Sequence, residues 1–353
     1  MKINYILPSI FQSGGVTTIY EYCTHLTKSG YEVCLYYPVL PYDNHKNISS
    51  CIGIINYCKS FRYHLKNLLF NKFPEHNFKI KVVPFLNDFF LEPADFVVAT
   101  TWHTAYLVNN LDKVKGKKIY FIQGYESWDA NIELVDNSYL LGLNCITISQ
   151  NLKNLLYEKF KVNAELIYNG FSKENFYCEN KRKNFKLRNF LFIDYGAKLK
   201  NTKLLIKGLQ KIKTKYPQIN ISSFGFQNFS PLPDYVKFYL NPDTDLKRKL
   251  YNEADLFIFP SLAEGFGNPP VEAMACKCAV ASTAAGGVLE YLKDNETGFI
   301  LKNDLSNLMS IIDNLIKDEN ILETISQNGY ESVKIFMGWE KPVQKFLNYI
   351  NSI

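Results

Sequence analysis

Two neighbouring stretches decide how this chain folds: Ala254-Asp-Leu-Phe-Ile-Phe-Pro260 and Glu264-Gly-Phe-Gly-Asn-Pro-Pro-Val-Glu272. The first is a continuous apolar run, which predicts a buried strand. In the second, Gly265 and Gly267 allow a tight turn, and the pair Pro269-Pro270 suits the first turn of a helix. The sequence therefore predicts a strand, a glycine turn and a helix whose N-terminal end offers backbone N–H groups to a phosphate.

Two carboxylates flank this turn. Glu264 precedes it and Glu272 lies in the predicted helix, with seven residues between them. A phosphate seat beside two carboxylates suggests a nucleotide sugar, with one glutamate binding the ribose hydroxyls and the other the transferred sugar. The alternative is that Glu272 complements the helix dipole and Glu264 is an ordinary loop acid.

The longer segment Phe259–Cys276 resembles the donor-site signature of retaining glycosyltransferase family 4, in which two glutamates are separated by seven residues. A second segment, Lys118–Trp128, resembles a branch of that family found in bacterial polysaccharide-assembly enzymes. The resemblance implies transfer of a sugar from a nucleotide-diphosphate donor to an acceptor hydroxyl, with retention at the anomeric carbon. It also implies that no metal or cofactor is required, because cationic side chains and helix ends take the metal's role.

Composition sets the broad class of the protein. The 353 residues suffice for two domains, and 47% hydrophobic and 21% charged residues describe a globular chain. The net charge of +6 is modest and no nucleic-acid-binding motif occurs, so nucleic acid is not an expected partner. No stretch approaches the about 20 apolar residues of a membrane span, and the eight cysteines lack the paired spacing of a zinc site. We therefore expect a cytoplasmic protein.

Strands and helices alternate along the chain, which predicts parallel sheets covered by helices on both faces. The predicted strands are Ile3–Leu7, Glu32–Tyr37, Lys79–Val83, Phe96–Thr100, Lys118–Gln123, Cys145–Ser149, Glu165–Tyr168, Phe190–Asp194, Ile219–Phe224, Leu256–Pro260 and Ala279–Ser282. The predicted helices are Val16–Lys28, Gln150–Phe160, Thr202–Lys215, Leu246–Asn252, the helix that begins near Pro269, and the amphipathic segment Trp339–Ile350.

The expected fold class is α/β, with two Rossmann-like domains facing each other across a cleft, which is the GT-B architecture of the family. Residues 1–170 would form the acceptor-binding domain, joined by a C-terminal crossover helix within residues 339–353. Residues 171–338 would form the nucleotide-sugar-binding domain. The segment Gly14–Val33 resembles the family's glycine-rich first loop and helix, and Leu166–Gly170 resembles its hinge.

The resemblance also implies roles for single residues. Glu264, His103 and Lys200 are the expected catalytic residues. Lys200 matches the family's lysine, and Lys198 stands where the family usually has an arginine, so it offers a point charge in place of a bidentate fork. The histidine that the family has in its N-terminal domain corresponds either to His103 or, in an alternative alignment, to Thr100. The expected donor-binding residues are Glu272, Lys198, Gly265, Phe266, Gly267, Asn268, Gly287 and Gly15.

One pair of aspartates has a simpler explanation than metal binding. Asp243 and Asp245 have the Asp-x-Asp spacing of metal-dependent glycosyltransferases of the other fold. They stand directly before a predicted helix, where aspartate is a favoured cap. We therefore expect them to cap the helix.

The expected partners are a nucleotide sugar and a glycan or lipid-linked acceptor. An anionic membrane surface is a further candidate, because Lys59–Lys72 combines one apolar helical face with basic residues around it, a pattern typical of peripheral binding at the inner face of the membrane. The same helix could instead pack its apolar face on the sheet. Two other functions stay open: a catalytically silent homologue that binds nucleotide sugar or partners a transferase, and an epimerase or phosphorylase on a similar fold.

Overall fold

The computed structural model describes residues 1–8, 14–39, 76–126, 132–179, 186–194, 196–226 and 231–353. These residues form two compact units. The N-terminal unit comprises Met1–Asn169 together with Trp339–Ile353, and the C-terminal unit comprises Gly170–Gly338. The predicted basic helix Lys59–Lys72 lies outside the described residues.

The N-terminal unit is built on a parallel sheet. Its seven described strands lie in the order β3-β2-β1-β4-β5-β6-β7. They are β1 (Lys2–Ile6), β2 (Glu32–Pro38), β3 (Lys79–Val83), β4 (Phe96–Ala99), β5 (Lys117–Ile122), β6 (Asn144–Thr147) and β7 (Glu165–Leu166). The central strands β1, β4 and β5 are buried over most of their length, as expected for parallel strands covered by helices on both faces.

The C-terminal unit repeats the plan with a second parallel sheet, whose six described strands lie in the order β10-β9-β8-β11-β12-β13. They are β8 (Asn189–Ile193), β9 (Asn220–Gly225), β10 (Val236–Leu240), β11 (Leu256–Phe259), β12 (Ala279–Thr283) and β13 (Phe299–Leu301). Because β8, β11 and β12 are neighbours, the loops that follow them meet at the carboxyl edge of the sheet, where ligands of such folds bind.

Ten helices of the described residues cover the two sheets. In the N-terminal unit they are Gly14–Lys28, Trp102–Asn110, Ile132–Tyr139, Gln150–Phe160 and Glu340–Ser352. In the C-terminal unit they are Thr202–Lys215, Thr244–Glu253, Asn268–Ala275, Leu308–Lys317 and Glu319–Val333. The last helix of the chain packs in the N-terminal unit, where Phe346 contacts the rings of Tyr5 and Tyr22 at centroid distances of 6.3 and 5.7 Å.

The predicted α/β class with parallel sheets is confirmed. Six of the described strands and α-helices were not among the predicted elements: the strands β10 and β13 and the helices Trp102–Asn110, Ile132–Tyr139, Leu308–Lys317 and Glu319–Val333. None of the helices in the described ranges is both long and apolar enough to cross a lipid bilayer. The described cysteines form no disulfide, and five of the six are buried.

Candidate functional site

The turn between the two glutamates has the predicted form. Strand β11 ends at Phe259, and the helix Asn268–Ala275 begins after Gly267, whose φ is +84°. A Cβ on Gly267 would lie 2.7 Å from the Tyr291 hydroxyl, so only glycine fits this position. Pro269 and Pro270 bring no N–H to the first turn, and the helix end therefore offers fewer donors to an anion than the sequence prediction assumed.

The turn is packed against the loop that follows β12. The N–H of Gly287 donates to the backbone carbonyl of Glu264 at 3.2 Å, and a Cβ on Gly287 would lie 2.0 Å from the Gly265 carbonyl oxygen. Gly287 thus uses its N–H within the protein and permits the two loops to approach. The side chain of Phe266 is buried against Tyr291 and Phe336, so Phe266 can meet a donor only through its backbone.

Lys200 and Glu264 meet directly. The Lys200 ammonium lies 2.5 Å from the Glu264 carboxylate, and their side chains are 25% and 13% exposed. Lys200 comes from the loop after β8, and a backbone hydrogen bond of 2.7 Å from Leu262 to Leu199 ties that loop to the one after β11. Two of the three expected catalytic residues are therefore in contact. Lys198 lies two residues earlier in the same loop and is exposed.

Glu272 has a different environment from Glu264. Its carboxylate accepts a hydrogen bond of 3.1 Å from the Tyr251 hydroxyl. Burial raises the pKa of the Glu272 carboxyl, while the charge of Lys247 and the Tyr251 hydrogen bond act in the opposite direction. The two glutamates are thus distinguished by their partners, a lysine for one and a tyrosine for the other.

The other predicted residues lie in the N-terminal unit, at the carboxyl edge of its sheet. His103 stands in the first turn of the helix Trp102–Asn110, and its ring stacks on that of Trp102 with the centroids 3.5 Å apart. Thr100, the alternative to His103, is buried, and its hydroxyl donates to the Ile6 carbonyl at 2.7 Å. The Thr100 hydroxyl is thus used in a hydrogen bond within the protein, whereas the side chain of His103 is more accessible to solvent.

The loop after β5, which belongs to the segment Lys118–Trp128, makes two contacts that the sequence did not predict. A Cβ on Gly15 would lie 3.3 Å from the amide group of Gln123. The Glu126 carboxylate accepts the N–H of Trp102 at 2.8 Å, at the start of the helix that carries His103. Neither residue is part of a sequence pattern that points to these contacts.

The predicted capping role of the aspartate pair is confirmed for Asp243. It is the N-cap of the helix Thr244–Glu253, and its carboxylate accepts the Leu246 N–H at 2.8 Å. Asp245 forms an ion pair of 2.9 Å with Arg248. Both carboxylates therefore have ordinary roles in the helix.

Comparison with known proteins identifies relatives of this chain. Residues 178–332, which lie within the C-terminal unit, match the family described as Glycosyl transferases group 1. An uncharacterized glycosyltransferase of Methanocaldococcus jannaschii is 34% identical over 208 residues, which cover 56% of this chain and 56% of that protein. The capsular polysaccharide biosynthesis glycosyltransferase CapM of Staphylococcus aureus is 29% identical over 245 residues, which cover 63% of this chain and 64% of CapM. The chain thus spans about half to two thirds of the length of these curated relatives.

Structural similarity extends over both units. The structure of HepE from Anabaena in complex with UDP-glucose superimposes with a TM-score of 0.73 at 15% identity, covering 100% of this chain and 100% of HepE. This likeness establishes the fold, so the predicted GT-B class is confirmed. The facing of the two domains across a cleft, membership of family 4 and the roles of the site residues stay predictions.

Proposed function

We propose that this protein is a glycosyltransferase that moves a sugar from a nucleoside-diphosphate sugar to a hydroxyl of a glycan, lipid-linked or glycoconjugate acceptor. The observation that carries the proposal is the contact between Lys200 and Glu264 beside the Gly267 turn, at the carboxyl edge of β8 and β11. It combines a cation for a diphosphate with a carboxylate for a sugar hydroxyl. Its support from relatives is the family match of residues 178–332.

In the proposed reaction the donor's diphosphate becomes the partner of Lys200. The ammonium stabilises the negative charge that develops on the leaving diphosphate, and Lys198 adds a second positive charge nearby. Glu264, released from Lys200, accepts hydrogen bonds from the transferred sugar. Glu272 accepts hydrogen bonds from the ribose hydroxyls.

The finer features of the proposal are retention of the anomeric configuration and independence of metal ions. Lys200 and Lys198 supply the positive charge that a metal would otherwise bring to the diphosphate. His103 and Gly15 of the N-terminal unit are proposed to contact the transferred sugar and the donor phosphate or acceptor. The class of acceptor is suggested by CapM, whose name places it in capsular polysaccharide biosynthesis.

The test begins with a melting-temperature screen against nucleotide sugars, since a ligand at 100 times its dissociation constant stabilises by about 2.7 kcal/mol. The donor that binds is then incubated with the protein in EDTA, and the release of nucleoside diphosphate is measured. We expect slow hydrolysis that Glu264→Gln reduces far more than it reduces binding, while Glu296→Gln, at an exposed position, changes neither. Binding without any turnover would favour the catalytically silent homologue, and turnover that requires added Mg²⁺ or Mn²⁺ would contradict metal independence.

We further propose that the segment Lys59–Lys72 adsorbs on anionic lipid, which its sequence pattern supports. Each basic residue near an anionic surface contributes about 1 kcal/mol, enough together for weak, salt-sensitive binding. Co-sedimentation with anionic and neutral vesicles across a salt series tests this. Equal and negligible binding to both at low salt would contradict it.

A further inference from the structure

A buried tyrosine lies beneath the turn that joins the two glutamates. Tyr291 is 2% exposed, and its hydroxyl lies 2.7 Å from the carbonyl oxygen of Gly267 and 3.1 Å from that of Phe266. Its ring contacts those of Phe266 and Phe336 at centroid distances of 5.6 and 6.2 Å. The hydroxyl thus shares its proton between two successive carbonyls, with Gly267 the nearer acceptor.

The sequence limits the amide donors of this turn to two. Pro269 and Pro270 have no N–H, so within residues 267–270 the backbone donors are the N–H groups of Gly267 and Asn268. Any anion bound by the backbone at this helix end would be bound by that pair.

The same two N–H groups belong to the peptide units that Tyr291 holds. The N–H of Gly267 shares a peptide plane with the Phe266 carbonyl, and the N–H of Asn268 shares one with the Gly267 carbonyl. In a planar trans peptide the C=O and N–H bonds point in opposite directions. Because both carbonyls are directed at the buried Tyr291 hydroxyl, both N–H groups are directed away from it.

We infer that Tyr291 is a positioning residue that orients the Gly267 and Asn268 amides toward the diphosphate of the donor. The inference rests on the proposed function and deepens it by naming what sets the geometry of the diphosphate seat. Successive N–H groups in a turn that includes a left-handed residue form an anion-binding concavity, and Gly267 has that conformation. Tyr291 does not touch the donor and acts through the backbone.

Burial and the surrounding negative charges keep the Tyr291 hydroxyl a hydrogen-bond donor. Burial, followed by the negative charges of Glu264, Glu272 and Glu290, raises the pKa of the Tyr291 hydroxyl. The hydroxyl therefore stays protonated at physiological pH, and its proton is available to the two carbonyls.

The test uses Tyr291→Phe, which keeps the aromatic ring and removes the hydroxyl. UDP, GDP and ADP are titrated into the full-length protein, and each diphosphate that binds is compared with its own nucleoside. We expect Tyr291→Phe to weaken diphosphate binding about fivefold to tenfold, the effect of one lost hydrogen bond, and to leave nucleoside binding unchanged. The matched control is Tyr216→Phe, which removes a hydroxyl bonded to Asp313 at 2.6 Å elsewhere in the same unit and should change neither affinity. Equal losses for diphosphate and nucleoside, or no loss for either, would overturn the inference.

Amide chemical shifts separate this inference from the proposed function. In the ligand-free protein, Tyr291→Phe should shift the amide NMR signals of Gly267 and Asn268, because both peptide units lose a hydrogen bond at their carbonyls, and Tyr216→Phe should not. If no nucleoside diphosphate binds the wild-type protein, the proposed function fails. Unchanged signals of those two amides in Tyr291→Phe would show, whether or not a diphosphate binds, that Tyr291 does not orient the turn.

Discussion

The ion pair between Lys200 and Glu264 links the proposed donor site to the ligand-free state of the protein. Both side chains keep some contact with solvent, at 25% and 13% exposure. In the proposed reaction the diphosphate replaces Glu264 beside Lys200 and sugar hydroxyls replace Lys200 beside Glu264, so the exchange leaves neither charge without a partner. We therefore interpret the pair as a state that is ready for the donor.

Replacing Lys200 with alanine should damage donor use. We expect Lys200→Ala to weaken donor binding by roughly tenfold to hundredfold, because a hydrogen bond to a charged group contributes about 1.5–3 kcal/mol. The apparent KM for the donor, or its Kd by calorimetry, measures this. Lys203→Ala removes an exposed lysine three residues further along and serves as the control. An unimpaired Lys200→Ala variant would exclude Lys200 from the site.

Glu272 should reveal its role through stability as well as binding. Because burial raises the pKa of its carboxyl, its ionised form is disfavoured in the folded state, and its contribution to stability is lost as the pH rises through that pKa. Glu272→Gln should therefore increase Tm at pH 7, and the gain should disappear below the ordinary glutamate pKa of about 4.3. The same variant should bind the donor less tightly.

The control for Glu272→Gln is a glutamate with the opposite shift. The hydrogen bond from Lys334 lowers the pKa of Glu331, so Glu331→Gln should not gain stability at pH 7. Thermal unfolding of both variants and the wild-type protein between pH 4 and 8 makes the comparison. A Glu272→Gln variant less stable than the wild type at pH 7 would contradict our account of that carboxylate.

The sequence revealed the two glutamates but not the tyrosines that bond to Glu272 and to the turn between the glutamates. Glu264 and Glu272 stand out because a short, regular spacing places them on either side of a glycine turn. Tyr251 precedes Glu272 by 21 residues, and Tyr291 follows Gly267 by 24. Such contacts arise from the packing of separate elements, which no local pattern in one sequence records.

The two loops at the proposed donor site approach each other closely at Gly287. A side chain there would collide with the Gly265 carbonyl, 2.0 Å from the added Cβ. We expect Gly287→Ala to lower Tm by roughly 5 °C, since overpacking costs about 1–3 kcal/mol and each kcal/mol shifts Tm by about 2–4 °C. Donor binding should weaken with it, because the carbonyl of Glu264 loses its partner.

Gly208 offers a matched control in the same unit. It lies inside the helix Thr202–Lys215, and among the described residues an added Cβ would meet only Leu308 Cδ2, at 3.5 Å. Gly208→Ala should leave donor binding unchanged and raise Tm slightly, because glycine costs roughly 0.5–1 kcal/mol relative to alanine within a helix. Equal effects of the two substitutions would show that the approach at Gly287 is unimportant.

Local pattern predicted the regular elements best. The predicted bounds of the helices Gln150–Phe160 and Thr202–Lys215 coincide with the observed ones, because their apolar residues recur at helical spacing. Strand β10 (Val236–Leu240) was not predicted because it lies at the sheet edge with little buried surface, and β13 has only three residues. The helix Leu308–Lys317 carries a clear apolar face, so its signal was present in the sequence although it was not among the predicted elements.

The two units differ in how much of their proposed function can be inferred from sequence motifs. The family match falls within the C-terminal unit, which holds Glu264, Glu272 and Lys200. The N-terminal unit carries His103 and Gly15, and it lies outside the residues that match the family. Donor chemistry could thus be inferred from residues, whereas the identity of the acceptor depends on surfaces that no motif in the sequence specifies.

We propose that this protein cleaves a nucleotide sugar at the site of Glu264 and Lys200 and retains the anomeric configuration. Proton NMR of an α-linked nucleotide sugar incubated with the protein in EDTA tests it most directly, because the spectrum records both cleavage and the anomer formed first. We predict that the α anomer of the free sugar forms first and that Glu264→Gln strongly reduces the rate of its formation. First release of the β anomer, or no cleavage of any donor that binds, would contradict the account.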